Sequence, residues 1–158
     1  MNAAFVDTSA FLSVLLKEPG SDSVERLFGA LKPVYASNLL EAEARSASDR
    51  EGLDRREVEE ALTRVKWVLP TRPLSQELRL LGAAGIRLKG ADLWHVACAL
   101  YLAGDPKGFP FLTLDDRQAE AARRLGFRVL PEADGVREAG AAYRARPSGR
   151  VKKAKGRR

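Results

Sequence analysis

Few residue types that commonly build small reactive sites are present. There is one cysteine in 158 residues, so no intramolecular disulfide can form. One cysteine and one histidine also exclude a zinc centre of the Cys/His kind within a single chain. Any metal held by this chain must be held by oxygen. The cysteine, Cys98, lies in the apolar run Val96-Ala97-Cys98-Ala99-Leu100 and reads as a small buried hydrophobe rather than a nucleophile. No apolar run approaches the roughly 20 residues of a membrane-spanning helix. The start, Met1-Asn2-Ala3-Ala4-Phe5-Val6-Asp7, has no basic segment leading into an apolar one, so a secretory signal is not expected and a cytoplasmic protein is.

Acidic residues are missing from one region only. Between Arg144 and Arg158 there are eight basic residues and no acid; without them the remainder carries 19 basic against 21 acidic residues. The net charge of +6 therefore belongs to the tail, and the body is near neutral. A basic tail fits contact with nucleic acid, and equally fits a solvated segment that keeps the protein in solution. With Pro147, Gly149 and no apolar periodicity, 144–158 is expected to be disordered. A further helix is possible over 132–143.

What is abundant is hydrophobic residue, 45% of the chain, arranged as short β-like runs alternating with helical ones. Strands are expected at 3–6, 33–36, 67–70, 109–113 and 127–130. Helices are expected from Thr8 or Ser9, over 21–31, from a Ser37 cap to about 51, from an Asp54 cap to about 66, and over 75–86, 91–102 and 116–125, the last stopped by Gly126. Strands separated by helices imply parallel pairing in a three-layer α/β sandwich. The nearly all-apolar strands fit a sheet covered on both faces. One domain over 1–131 is expected.

Two strands end in acid. Phe5-Val6 runs into Asp7, and Phe111-Leu112 runs through Thr113-Leu114 into Asp115. Ligands of open α/β sheets bind beyond the carboxyl ends of strands, so these acids meet in one crevice if their strands are neighbours. Each also suits a helix N-cap. Glu43 shares a helix face with Leu39 and Ala47, and a carboxylate on an apolar face needs a partner or a crevice edge. Glu41 falls on another face and reads as a solvated charge. Asp92 sits in the first turn of a helix, where an acid complements the dipole, yet shares a face with Val96 and Ala99. His95 reads as a hydrogen-bonded structural histidine near the core. Four acids around one crevice repel unless a cation joins them, and oxygen ligands suit magnesium or manganese. Such an ion supports phosphoryl chemistry without any further nucleophile.

The segments Val6-Asp7-Thr8-Ser9-Ala10-Phe11, Ser37-Asn38-Leu39-Leu40-Glu41-Ala42-Glu43, Gly90-Ala91-Asp92-Leu93-Trp94-His95 and Leu112-Thr113-Leu114-Asp115-Asp116-Arg117 together resemble the PIN-domain ribonucleases. The likeness is greatest to the VapC-type toxins of bacterial and archaeal toxin–antitoxin pairs. It covers roughly residues 1–130 and implies a five-stranded parallel sheet and Mg2+- or Mn2+-dependent cleavage of single-stranded RNA. It places Asp7, Glu43, Asp92 and Asp115 on the family's four acids, and Thr113 and Ser9 where the family uses a supporting hydroxyl. Asp116 neighbours the cluster. It further implies an antitoxin partner and a homodimer. Haloacid-dehalogenase chemistry would need a second acid where Ser9 stands, and a receiver domain would need a lysine between Phe109 and Lys152. The rival of another class is a PIN-like module that binds RNA or protein without cutting; the presence of all four acids argues against it.

Overall fold

The computed structural model describes residues 3–132. The helix expected over 132–143, beyond Glu132, and the basic tail lie outside the described residues. The elements run β1 (Ala4–Val6), α1 (Thr8–Leu15), α2 (Ser21–Ala30), β2 (Val34–Ser37), α3 (Leu39–Glu51), α4 (Arg55–Leu62), β3 (Val65–Val68), α5 (Ser75–Ala83), α6 (Gly90–Ala103), β4 (Pro110–Leu112), α7 (Asp116–Leu125) and β5 (Arg128–Leu130).

All five strands pair in parallel, in the order β3-β2-β1-β4-β5. The chain lays β2 and β3 to one side of β1, then crosses and lays β4 and β5 on the other. The order thus reverses between β1 and β4, whose register pairs Phe5 with Phe111 and Val6 with Leu112. That is the position where an open α/β sheet leaves a crevice at its carboxyl edge.

Period-2 alternation divides each strand between two cores. Ala4, Val6 and Leu112 pack with α1–α4 against Phe11, Val24, Phe28 and Leu40. Phe5 and Phe111 face the other way, onto Leu81, Val96 and Phe127 among α5–α7. Their rings stack with centroids 5.6 Å apart. Both are fully buried, and burial of such a ring stabilises the fold by about 1.5–3 kcal/mol. The sheet is thus covered on both faces, as its apolar strands require.

Some boundaries differ from the expectation. Asp7, not Thr8 or Ser9, caps α1; its carboxylate accepts from the Ala10 amide. Ser37 ends β2 rather than capping α3, whose N-cap position is Asn38. Strand β3 begins two residues early, at Val65, and α4 stops at Leu62.

Cys98 has no exposed surface, and burial, with the nearby Glu77 charge, pushes its thiol up to about 12. Thiolate is the reactive form. Native protein at pH 8 should therefore resist iodoacetamide for hours and take up one equivalent in denaturant. Mass spectrometry reads the difference; rapid labelling of folded protein would contradict this burial.

Candidate active site

The carboxyl edge of the sheet opens into a cavity of about 470 Å³. Its walls come from four segments: Asp7, Thr8, Ser9 and Leu12 at the start of α1; Ala42, Glu43, Ser46 and Arg50 along α3; Asp92 and His95 on α6; and Asp115 and Gln118 at the start of α7. All four acids expected from the sequence line this one cavity. Asp7 and Asp115 do so while also capping α1 and α7, so the capping reading and the crevice reading hold together. Of the supporting residues, Ser9 lines the cavity, Thr113 lies buried behind Asp7, and Asp116 is exposed on the first turn of α7, outside the lining.

Asp7 is fully buried and the most heavily bonded of the four. Ser9 Oγ donates to it (2.8 Å to Oδ1, 2.9 Å to Oδ2), Thr113 Oγ1 donates to Oδ2 at 2.9 Å, and Gln118 Nε2 donates to Oδ2 at 2.9 Å. The Ala10 amide adds a bond to Oδ1 at 3.1 Å. Burial nevertheless outweighs these bonds and raises the carboxyl to about 6. The two hydroxyls are themselves fixed from behind: Ser9 Oγ accepts from the Leu114 amide and Thr113 Oγ1 from the Asp115 amide. The turn after β4 thereby locks the groups that hold the acid after β1.

Glu43 takes the crevice-edge position, with a partner, that its helix face called for, but it lies beside the buried stripe rather than within it. The buried stripe of α3 is Leu40, Ala44, Ala47 and Ser48, and Glu43 flanks it on the cavity side with 34% of its side chain exposed. Its partner is His95, whose Nε2 lies 2.9 Å from Oε2, with the Thr8 hydroxyl donating to the same oxygen. Burial works to raise this carboxyl, but the bonds from His95 and Thr8, with attraction to the imidazole, hold it below its ordinary value. A carboxylate only accepts, so His95 Nε2 carries a proton. Nδ1 lies 2.9 Å from Ser37 Oγ, a hydroxyl that can answer either protonation state of that nitrogen. His95 is itself buried, which agrees with the hydrogen-bonded structural role expected of it. Glu41 pairs with Arg45 at 2.7 Å on the outer face of α3.

Asp92 is half-buried, and its carboxyl is raised by burial first and then by repulsion from Asp115 and Glu43, partly offset by His95 and Lys89. Gln118 Nε2 reaches its Oδ1 at 3.2 Å. Asp115 Oδ1 accepts from the Gln118 amide at 2.8 Å. In the sequence Thr8 and Ser37 read only as helix caps, and Gln118 is not singled out. Each acts through a partner at least 26 residues away in the chain, beyond the reach of local periodicity.

Among the described residues, no three His, Cys, Asp or Glu side chains are set closely enough to hold a metal ion as they stand. The acids are spaced by donors instead: Gln118 stands between Asp7 and Asp92, and Glu43 turns to His95. The donor set nevertheless suits a divalent cation. It is all carboxylate oxygen, and the Asp92 carboxyl is raised by burial and then by repulsion from Asp115 and Glu43, a repulsion that a cation would relieve. Arg50 is the one arginine in the cavity wall, where it donates to Ser46 Oγ at 3.0 Å.

The family model for the PIN domain matches residues 4–124. Among curated proteins, Ribonuclease VapC46 of Mycobacterium tuberculosis is 30% identical over 135 residues, which is 82% of this chain and 98% of that protein. No solved structure gives a significant match. With a matching family model over most of its length, a relative aligned nearly end to end and an all-parallel five-stranded sheet, the chain belongs to the PIN domain family, of the VapC type.

Proposed function

We propose that the protein is a divalent-metal-dependent endoribonuclease that cleaves single-stranded RNA as the toxin of a toxin–antitoxin pair. One observation carries the reading. Four acids from four separate segments line a single cavity at the point where the sheet order reverses. The similar protein Ribonuclease VapC46 supports the same reaction class.

Asp7, Asp92 and Asp115 would hold Mg2+ or Mn2+, with Glu43 at the rim. Bound there, the cation supplies activation of water and stabilisation of charge on the scissile phosphate. The protein's own groups do the rest. Ser9 and Thr113 fix the orientation of the Asp7 carboxylate. Glu43, kept ionised by the bonds from His95 and Thr8 to Oε2, would take a proton from an attacking water at its other oxygen, Oε1. The Arg50 guanidinium, in the cavity wall, would pair with a phosphate of the bound RNA. An antitoxin would act by covering this cavity. A homodimer and a cytoplasmic setting belong to the same reading; among the described residues no helix is long and apolar enough to cross a membrane.

The test is cleavage of a mixed-sequence single-stranded RNA by purified protein with Mn2+, with and without chelator. Cleavage that stops on chelation and returns with added Mn2+ is expected. Cleavage indifferent to chelation would remove the metal from the mechanism. Salt-dependent RNA binding without cleavage would favour the non-catalytic module.

A further inference from the structure

The acids of the cavity do not meet one another directly; a neutral side chain comes between two of them. Gln118 is buried at the start of α7, and its amide nitrogen donates both to Asp7 Oδ2 at 2.9 Å and to Asp92 Oδ1 at 3.2 Å. A bridging amide uses both of its hydrogens this way. The other end of the same group is anomalous. Gln118 Oε1 is buried and has no hydrogen-bond partner. A buried amide oxygen without a donor is costly, so the side chain is held here by its nitrogen alone, against the preference of its oxygen.

We propose that Gln118 sets the metal affinity of this site, because its amide and a divalent cation compete for the same pair of carboxylates. The proposal rests on the metal-site reading above and extends it to a residue outside the four acids. Both oxygens of Asp7 are already engaged by donors, so a cation held between Asp7 and Asp92 must displace one, and the Gln118 amide is the donor these two acids share; the cation's positive charge also repels the amide hydrogens. Binding therefore displaces Nε2. Moving the side chain aside removes the donor from the carboxylates, and because Oε1 has no hydrogen-bond partner to lose, the move costs only the two Nε2 bonds. The residue acts on the metal through the acids and is a positioning residue.

The consequence has an unusual sign. Damage to a metal site ordinarily weakens binding. Removing a competitor strengthens it. Gln118→Leu and Gln118→Met keep an unbranched or similar apolar volume but carry no donor, so neither makes the two bonds that the cation must break. Each bond to a charged acceptor released before binding no longer opposes it, and an affinity gain of about tenfold is expected.

The experiment is calorimetric titration of Mn2+ into chelator-stripped, dialysed protein. Tighter Mn2+ binding by both variants, together with a lower melting temperature before Mn2+ is added, supports the proposal. Binding equal to or weaker than wild type in both overturns it; weaker binding would instead make the amide a metal ligand. A second measurement needs no variant that must fold. In a Mg2+ titration of the 15N-labelled wild type, the Gln118 side-chain amide resonances should shift and exchange faster with solvent. If they stay fixed while the backbone amides of Asp92 and Asp115 move, the proposal fails. Wild-type protein that binds neither ion would sink the metal-site reading and this proposal together. Wild-type binding with unmoved variants would sink this proposal alone.

Discussion

Replacing Asp7 with asparagine is expected to abolish RNA cleavage and, with metal chelated, to raise the melting temperature at pH 7. The two effects share one cause. Asp7 is fully buried, and burial lifts its carboxyl from 3.8 to about 6. The folded protein thus binds this proton more tightly than the unfolded chain does. Below about pH 4 both states are protonated and Asp7 costs nothing. As pH rises from 4 to 6 the unfolded state ionises first, and stability falls across that window. Above it the penalty is complete, about 2–3 kcal/mol for a shift of this size. Asparagine carries no charge to desolvate. Its Oδ1 still accepts from Ser9 Oγ and the Ala10 amide, so the cap of α1 survives. Its Nδ2 faces Thr113 Oγ1, which can accept, and Gln118, whose unpartnered Oε1 can turn toward it. A rise of roughly 5–10 °C follows. The pH dependence between 4 and 6 should flatten in the variant, and scanning calorimetry across that range measures it. A variant that melts lower than wild type at pH 7 would refute the argument, as would one that still cuts RNA.

The same residue shows what local sequence can carry. A short apolar run ending in acid was enough to place Asp7 and Asp115 at the carboxyl edge. Whether they share a crevice depends on the pairing of β1 with β4, and no run of residues states that. Edge position blurred β3 in a related way. Its outer residue Lys66 faces water between buried Val65 and Val68, so the charged start of the strand reads as the end of the preceding helix. The exposed Leu69, apolar by type, drew the expected strand past its true end. On α3 an i, i+4 spacing found Glu43 beside an apolar stripe but chose the neighbouring phase. Small residues, Ala44, Ala47 and Ser48, form the actual contact and weaken the contrast from which phase is read.

The supporting atoms were the least legible part. Ser37 resembles a helix cap in sequence, and a serine before a helix usually is one. Its hydroxyl instead goes to His95, 58 residues away, because α6 crosses the end of β2. Thr8 and Gln118 sit among residues that suffice to make a helix start. Their second role exists only once four segments converge. Long-range hydrogen bonds are a product of topology, and the sequence around each partner holds no trace of the other.

His95 is the link in that network whose loss should reach furthest. It joins the end of β2 to the rim acid on α3, with both ring nitrogens engaged and the ring buried. In His95→Leu, Ser37 Oγ is left buried without its partner, and Glu43 loses the donor that offsets its desolvation. Leaving one such group unsatisfied costs about 1–3 kcal/mol, and a charged one more. A loss of about 2–4 kcal/mol is therefore expected in denaturant melts. Activity should fall by about 10² or more, since Glu43 is then tethered by Thr8 alone and its carboxyl is held down less firmly. A collapsed site would lose substrate binding as well. A positioning role predicts a different split: kcat falls, while the KM for RNA and the Mn2+ affinity change little, because Asp7, Asp92 and Asp115 keep their own partners. His95→Gln provides the decisive comparison. Its amide nitrogen can stand where Nε2 stands and donate to Glu43, while the bond to Ser37 is lost. Recovery of most of kcat with little recovery of stability would separate the two nitrogens, one serving the acid and one serving the fold. If His95→Gln is as inactive as His95→Leu while equally well folded, the imidazole does more than hold Glu43, and the structural reading of this histidine is wrong.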